Sequence, residues 1–166
     1  MLDVCKVLLK YKPLIDEISN RTKHDHLEHG FTICEDGEVL REIESAHDSV
    51  LIPYCPTGSN LGIVHTHPPG TLQYPSDLDI TSAIDHNLKF TCVVDPETKK
   101  TTCVLINNSH PLYEKYKTEL LTTYDRAFGS FMRGKLDEAE EYGYRYLYTL
   151  MKATNDGVIK IVECEL

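Results

Sequence analysis

The chain has 166 residues, 41% of them hydrophobic and 26% charged, with a formal net charge of −9. That size and balance suit one folded domain with a real core, not a disordered or fibrous chain. The acidic excess excludes nucleic acid as the main partner, because nothing is left over to neutralise phosphates, and no stretch approaches the ~18 apolar residues of a membrane span.

The N-terminal "MLDVCKVLLKYKP" carries charges at residues 3, 6 and 10 and lacks a long apolar run or a small-residue cleavage site. The expected location is therefore the cytoplasm. The six cysteines, Cys5, Cys34, Cys55, Cys92, Cys103 and Cys164, form no C-x-x-C pair, which speaks against a cysteine zinc knuckle or a redox motif. Their scatter is unlike a dense secreted framework. Buried free thiols are the default expectation.

In chain order, residues 3–20 place Val4, Val7, Leu8, Tyr11, Leu14, Ile15 and Ile18 at helical spacing, with Pro13 as a kink or break. A polar joint, "RTKHDHLEHG", follows. Asp36-Gly37 between apolar runs signals a hairpin of strands 30–35 and 38–44. "SVLIPY" reads as another strand, ended by Pro53 and the turn "CPTGSN". "LGIVHTH" is a short apolar strand ending in histidines, "PPGTLQYPSD" is loop, and Ile80, Ala83 and Ile84 give a helix from Ser76. "FTCVVDPETKKTTCVLIN" reads as a second hairpin about Glu97-Thr98, setting Val94 opposite Thr101 and Cys92 opposite Cys103. A disulfide between those two cysteines is compatible with that register. Residues 110–133 and 135–153 read as helices rich in Tyr and Glu, and "GVIKIVEC" is a candidate final strand. The fold class expected is α+β, an antiparallel-rich sheet with helices packed on it. The organisation expected is a single domain over 1–166, with a core to about 109 and a helical extension over 110–166.

Chemistry concentrates in "GIVHTHPPGTLQYPSDLD", residues 62–79. On a strand, i and i+2 face one side, so His65 and His67 converge. Two imidazoles so placed suit a zinc ion. An H-x-H pair is common by itself, and "HDH" at 24–26 is a second example, read as surface. Ser76 is a natural N-cap, and Asp79 three residues on can complete a capping box. What distinguishes 62–79 is order: a strand with two histidines, a loop, then an acid on the first turn of a helix. Asp79 then stands as a third ligand with a fourth position left for water, the arrangement of catalytic rather than structural zinc.

"HTHPPGTLQYPSDLD" resembles the signature of the JAMM (MPN+) zinc metalloproteases, H-[S/T]-H, then P, a loop, and S-x-x-D. One departure is visible: eight residues (68–75) separate His67 from Ser76, where the family usually has seven. The resemblance implies zinc ligands at His65, His67 and Asp79. It implies that Ser76 helps hold the substrate carbonyl and its oxyanion. It further implies an upstream glutamate bonded to the zinc water. Glu28 is the candidate, because it follows the first helical segment and precedes a strand. Glu17 lies inside the helix, and Glu35, Glu38, Glu42 and Glu44 lie beyond the strand start. The fold implied is the MPN, cytidine-deaminase-like mixed sheet.

The activity implied is hydrolysis of peptide or isopeptide bonds after the C-terminal tail of a ubiquitin-like or sulfur-carrier protein. An alternative is a non-catalytic MPN-type scaffold, as in relatives lacking the metal residues. A third option is a branch with DNA-associated or phage-related roles. The resemblance covers residues 28–107 and leaves the C-terminal helices unexplained. His86, seven residues after Asp79, is read as a surface histidine, and Cys55 as a passive loop cysteine rather than a thiol able to reach the metal. Tyr142, Tyr146 and Leu150 at four-residue spacing are read as helix packing.

Overall fold

The computed structural model describes every residue except Thr57. Within the turn expected at 55–60, that position lies outside the described residues.

The first apolar stretch divides into α1 (Val4–Leu9) and α2 (Lys12–Asp25). Asp3 caps α1 by accepting from the Lys6 amide at 3.2 Å. Pro13 sits in the first turn of α2, where its missing N–H leaves no bond unmade. His26, at φ 59°, closes α2 in the left-handed region. The expected hairpin forms as β1 (Gly30–Cys34) and β2 (Val39–Arg41), with Ile33 opposite Val39. Gly37 occupies φ 89°, which is why the turn needs glycine there. The strand expected in "SVLIPY" shortens to β4 (Val50–Leu51), which pairs with β3 (Glu44–Ser45) in a separate two-stranded sheet. Pro53 lacks a donor and cannot extend it.

The main sheet continues with β5 (Asn60–Thr66), β6 (Phe90–Val94), β7 (Lys100–Ile106) and β8 (Ile159–Glu165), in the order β2-β1-β5-β6-β7-β8. β5 and β6 run parallel and are connected through α3 (Asp77–Asp85). The pairs β1–β2, β1–β5 and β6–β7 are antiparallel. The expected register holds, with Cys92 opposite Cys103 and Val94 opposite Thr101. The class is α+β, with a mixed, mostly antiparallel sheet flanked by helices.

β1 and β6 are buried at every position, so both faces of the sheet centre are covered. On one face Phe31, Ile33, Val64, Phe90, Cys92 and Val94 form the core with Val4, Leu8, Ile15 and Ile18 of α1 and α2. The alternation of strand side chains then turns Ile63 and His65 to the opposite face. On α3, Ile80, Ala83 and Ile84 are buried.

The chain forms two compact units, Met1–Leu105 with Ile161–Leu166, and Ile106–Lys160. The first holds the sheet core and includes the last six residues. The second holds α4 (Tyr113–Met132) and α5 (Leu136–Asn155). Gly134, at φ 75°, makes the turn between these helices. Tyr146 is buried and meets Tyr124 edge-on, ring centroids 5.8 Å apart. Tyr142 and Leu150 are half-buried, so the Tyr-rich spacing does serve helix packing.

The expectation of free thiols fails. All six cysteines are bonded, as Cys5–Cys164, Cys34–Cys55 and Cys92–Cys103. Two of these bridges join segments that only the folded sheet brings together, so local spacing carries no sign of them. Among the described residues, no helix is long and apolar enough to cross a membrane.

Candidate metal centre

β5 delivers the first histidine. His65 lies near its end, paired with Gly30 of β1, and is 3% exposed. A Cβ on Gly30 would sit 2.6 Å from the His65 Cβ and 2.6 Å from the Val64 carbonyl oxygen. Only glycine lets β1 run this close to the histidine. We expect Gly30→Ala to displace His65 and weaken metal binding by ~10–100-fold, the scale on which support around a ligand acts. Competition with a chelating dye measures this, and wild-type affinity in the variant would refute it.

His67 lies just beyond β5, where the chain leaves the sheet. Its Nδ1 donates to the Leu72 carbonyl oxygen at 2.7 Å. That bond leaves Nε2 free for a ligand and gives the 68–75 loop a task. Pro68 O accepts from Gln73 Nε2 at 2.9 Å and from Thr71 Oγ1 at 2.7 Å, so the loop folds back on itself. This fold of the loop brings the Leu72 carbonyl to the His67 ring.

α3 supplies the acid. Ser76 Oγ accepts from the Asp79 amide at 3.1 Å, and Asp79 Oδ2 accepts from the Ser76 amide at 2.9 Å, the capping box read from "SDLD". The same Asp79 oxygen lies 3.4 Å from His65 Nε2 and 3.6 Å from His67 Nε2. The two histidine Nε2 atoms are 3.1 Å apart. Helix capping thus holds the Asp79 carboxylate beside both histidines.

Glu28 sits between α2 and β1, its amide bonded to the Ala46 carbonyl at 2.8 Å. Its Oε1 is 3.9 Å from His65 Nε2. The structure thus brings together all five residues singled out in the sequence. Glu28, His65 and His67 form a group able to hold a metal ion.

The electrostatics separate the two acids. Burial pushes the Glu28 carboxyl up, and the nearby histidines offset this only in part. Burial acts on Asp79 in the same sense, but His65, His67 and the Ser76 amide prevail and hold it far below the usual range. Burial works to lower His67, yet the bonds to Asp79 and Leu72 hold it above its ordinary value. His65 Nδ1 is buried with no hydrogen-bond partner among the described residues. Leaving such an atom unmatched costs ~1–3 kcal/mol.

Sequence reading missed the support beneath Glu28. His29 is 2% exposed, and its ring nitrogens lie 2.8 Å from Glu42 Oε1 and 2.7 Å from Asp25 Oδ2. Arg21 adds a 2.8 Å contact to Glu42. This group ties the end of α2 to the segment after β2 on either side of Glu28. Asp25 belongs to the "HDH" run, whose histidines are exposed as expected; the middle residue meets His29 and accepts from the Leu27 amide. His86 is exposed and stacks on Tyr54, ring centroids 3.7 Å apart. Cys55, bonded to Cys34, is not available to a metal.

Comparison with known protein families, characterised proteins and solved structures finds no match to the chain.

Proposed function

We propose that the chain is a zinc-dependent hydrolase of the JAMM kind, cleaving peptide or isopeptide bonds after the tail of a ubiquitin-like or sulfur-carrier protein. The observation that carries this reading is the convergence of His65 Nε2, His67 Nε2 and Asp79 Oδ2, at mutual separations of 3.1, 3.4 and 3.6 Å. A tetrahedral zinc with bonds of ~2.0–2.2 Å wants donor atoms ~3.3–3.6 Å apart. The donor set, two imidazoles and one carboxylate, is that of catalytic zinc with one position left open. Glu28 stands farther from His65 than Asp79 does, which suits a base beyond the ligand shell.

When bound, zinc supplies a Lewis acid that lowers the pKa of water and polarises the scissile carbonyl. His65, His67 and Asp79 would hold it. Glu28, kept apt to carry a proton by its burial, accepts the proton of the attacking water and passes it to the leaving amine. The Ser76 oxygen already accepts from the Asp79 amide, so its O–H is free to donate to the developing oxyanion. The Leu72 carbonyl keeps the His67 ring turned.

The test is incubation of the zinc-loaded protein with fusions bearing ubiquitin-like and sulfur-carrier tails, read by mass spectrometry. Cleavage at the tail is expected. Intact fusions across the panel would favour the non-catalytic scaffold reading instead.

A further inference from the structure

Glu28, His65, His67, Ser76 and Asp79 line part of a larger cavity of about 290 Å³. A water molecule takes ~30 Å³, so the space far exceeds what an ion and its water fill. The rest of the lining is mainly apolar, with Asp48, Ser49, Ser82 and Thr91 among it. One wall is the β4 segment, with Leu51, Ile52 and Tyr54, and the other is α3, with Leu78 and Ala83. Ile63 of β5 lies between them, two residues before His65. The β4 wall is anchored at two points: the Thr32 hydroxyl donates to the Pro53 carbonyl at 2.8 Å, and the Cys34–Cys55 bridge holds the segment beyond. Tyr54 is backed by the His86 ring. Leu51 and Leu78 remain 56% and 57% exposed at the mouth, apolar surface that an occupant would cover. No lysine or arginine lines the cavity among the described residues, while Asp48, Glu28 and Asp79 do. An acidic side chain would be repelled there.

From this layout we infer that the cavity is a subsite for one large apolar side chain, branched aliphatic or aromatic, on the residue beside the scissile bond. Its polar end takes the carbonyl and its apolar end the side chain. This rests on the hydrolase reading for the word scissile, but the pocket's preference is measurable without turnover. Ala83 belongs to the lining and carries only a methyl group, so a larger side chain there would take up space in the cavity.

The experiment uses two series of short peptides, one ending in and one beginning with Gly, Ala, Leu or Phe. Binding is measured by calorimetry, with and without zinc, to the wild-type protein. Leu and Phe are expected to bind at least ~10-fold tighter than Gly in one series, the scale of burying one such side chain. Ala83→Leu, its fold verified by circular dichroism, should abolish that preference; Leu78→Ala, at an exposed site, should reduce it. Equal binding of Gly, Leu and Phe in both series would overturn the inference, as would a folded Ala83→Leu protein with the preference intact. A Leu preference without cleavage of any fusion would leave the subsite standing and remove the hydrolase reading. Cleavage with Gly favoured on both sides of the bond would do the reverse.

Discussion

Glu28→Gln is expected to leave the zinc content unchanged and to lower hydrolysis by ~10²–10⁴-fold, the usual contribution of a general base. The amide matches the carboxyl in shape and cannot take the water's proton. The variant also separates two roles that geometry places side by side. Glu28 lies in a group able to hold a metal, with His65 and His67. Asp79, however, touches both histidines and is 3.4 Å from His65, against 3.9 Å for Glu28. If Glu28 were a ligand, Gln in its place would weaken zinc binding strongly. Metal analysis beside the rate assay reads both. Loss of zinc would make Glu28 a ligand, and retained activity would end its role as base.

The second large effect concerns stability. Cys5 on α1 and Cys164 on β8 are separated by 159 residues in sequence. In the chain-entropy account, a closed loop beyond ~100 residues restricts the unfolded chain by ~4–5 kcal/mol. The double substitution Cys5→Ser with Cys164→Ser should therefore lower unfolding free energy by about 4 kcal/mol, read by urea titration without reductant. A change below about 1 kcal/mol would show that the bridge adds little. Disulfides persist where thiols are not kept reduced, so the assays of this protein should omit reductant.

Local chemistry made much of this fold legible. Asp36-Gly37 announced the first hairpin, and pairing about Glu97-Thr98 gave the correct register for β6 and β7. Ser76 and Asp79 were readable as a capping box because both partners lie within one turn. That His65, His67, Ser76 and Asp79 meet was legible from their order around a strand and a helix start. What was hidden depends on neighbours distant in sequence. Cys5 and Cys34 give no sign of Cys164 and Cys55 until the sheet is assembled. The His29 support joins Asp25 and Glu42 across two elements. The walls of the cavity come from a segment whose strand is two residues long, too short for any period, and from α3, where Ala83 read only as helix core and Leu78 gave no signal. The Leu72 carbonyl is backbone, and its role was set by the loop's own fold.

The zinc content of the protein, purified without added metal and dialysed before elemental analysis, tests the central claim most directly. One zinc per chain is expected in the wild type, and none when His65 and His67 are both replaced by Ala. A wild-type protein that is metal-free and takes up no zinc on titration would contradict it.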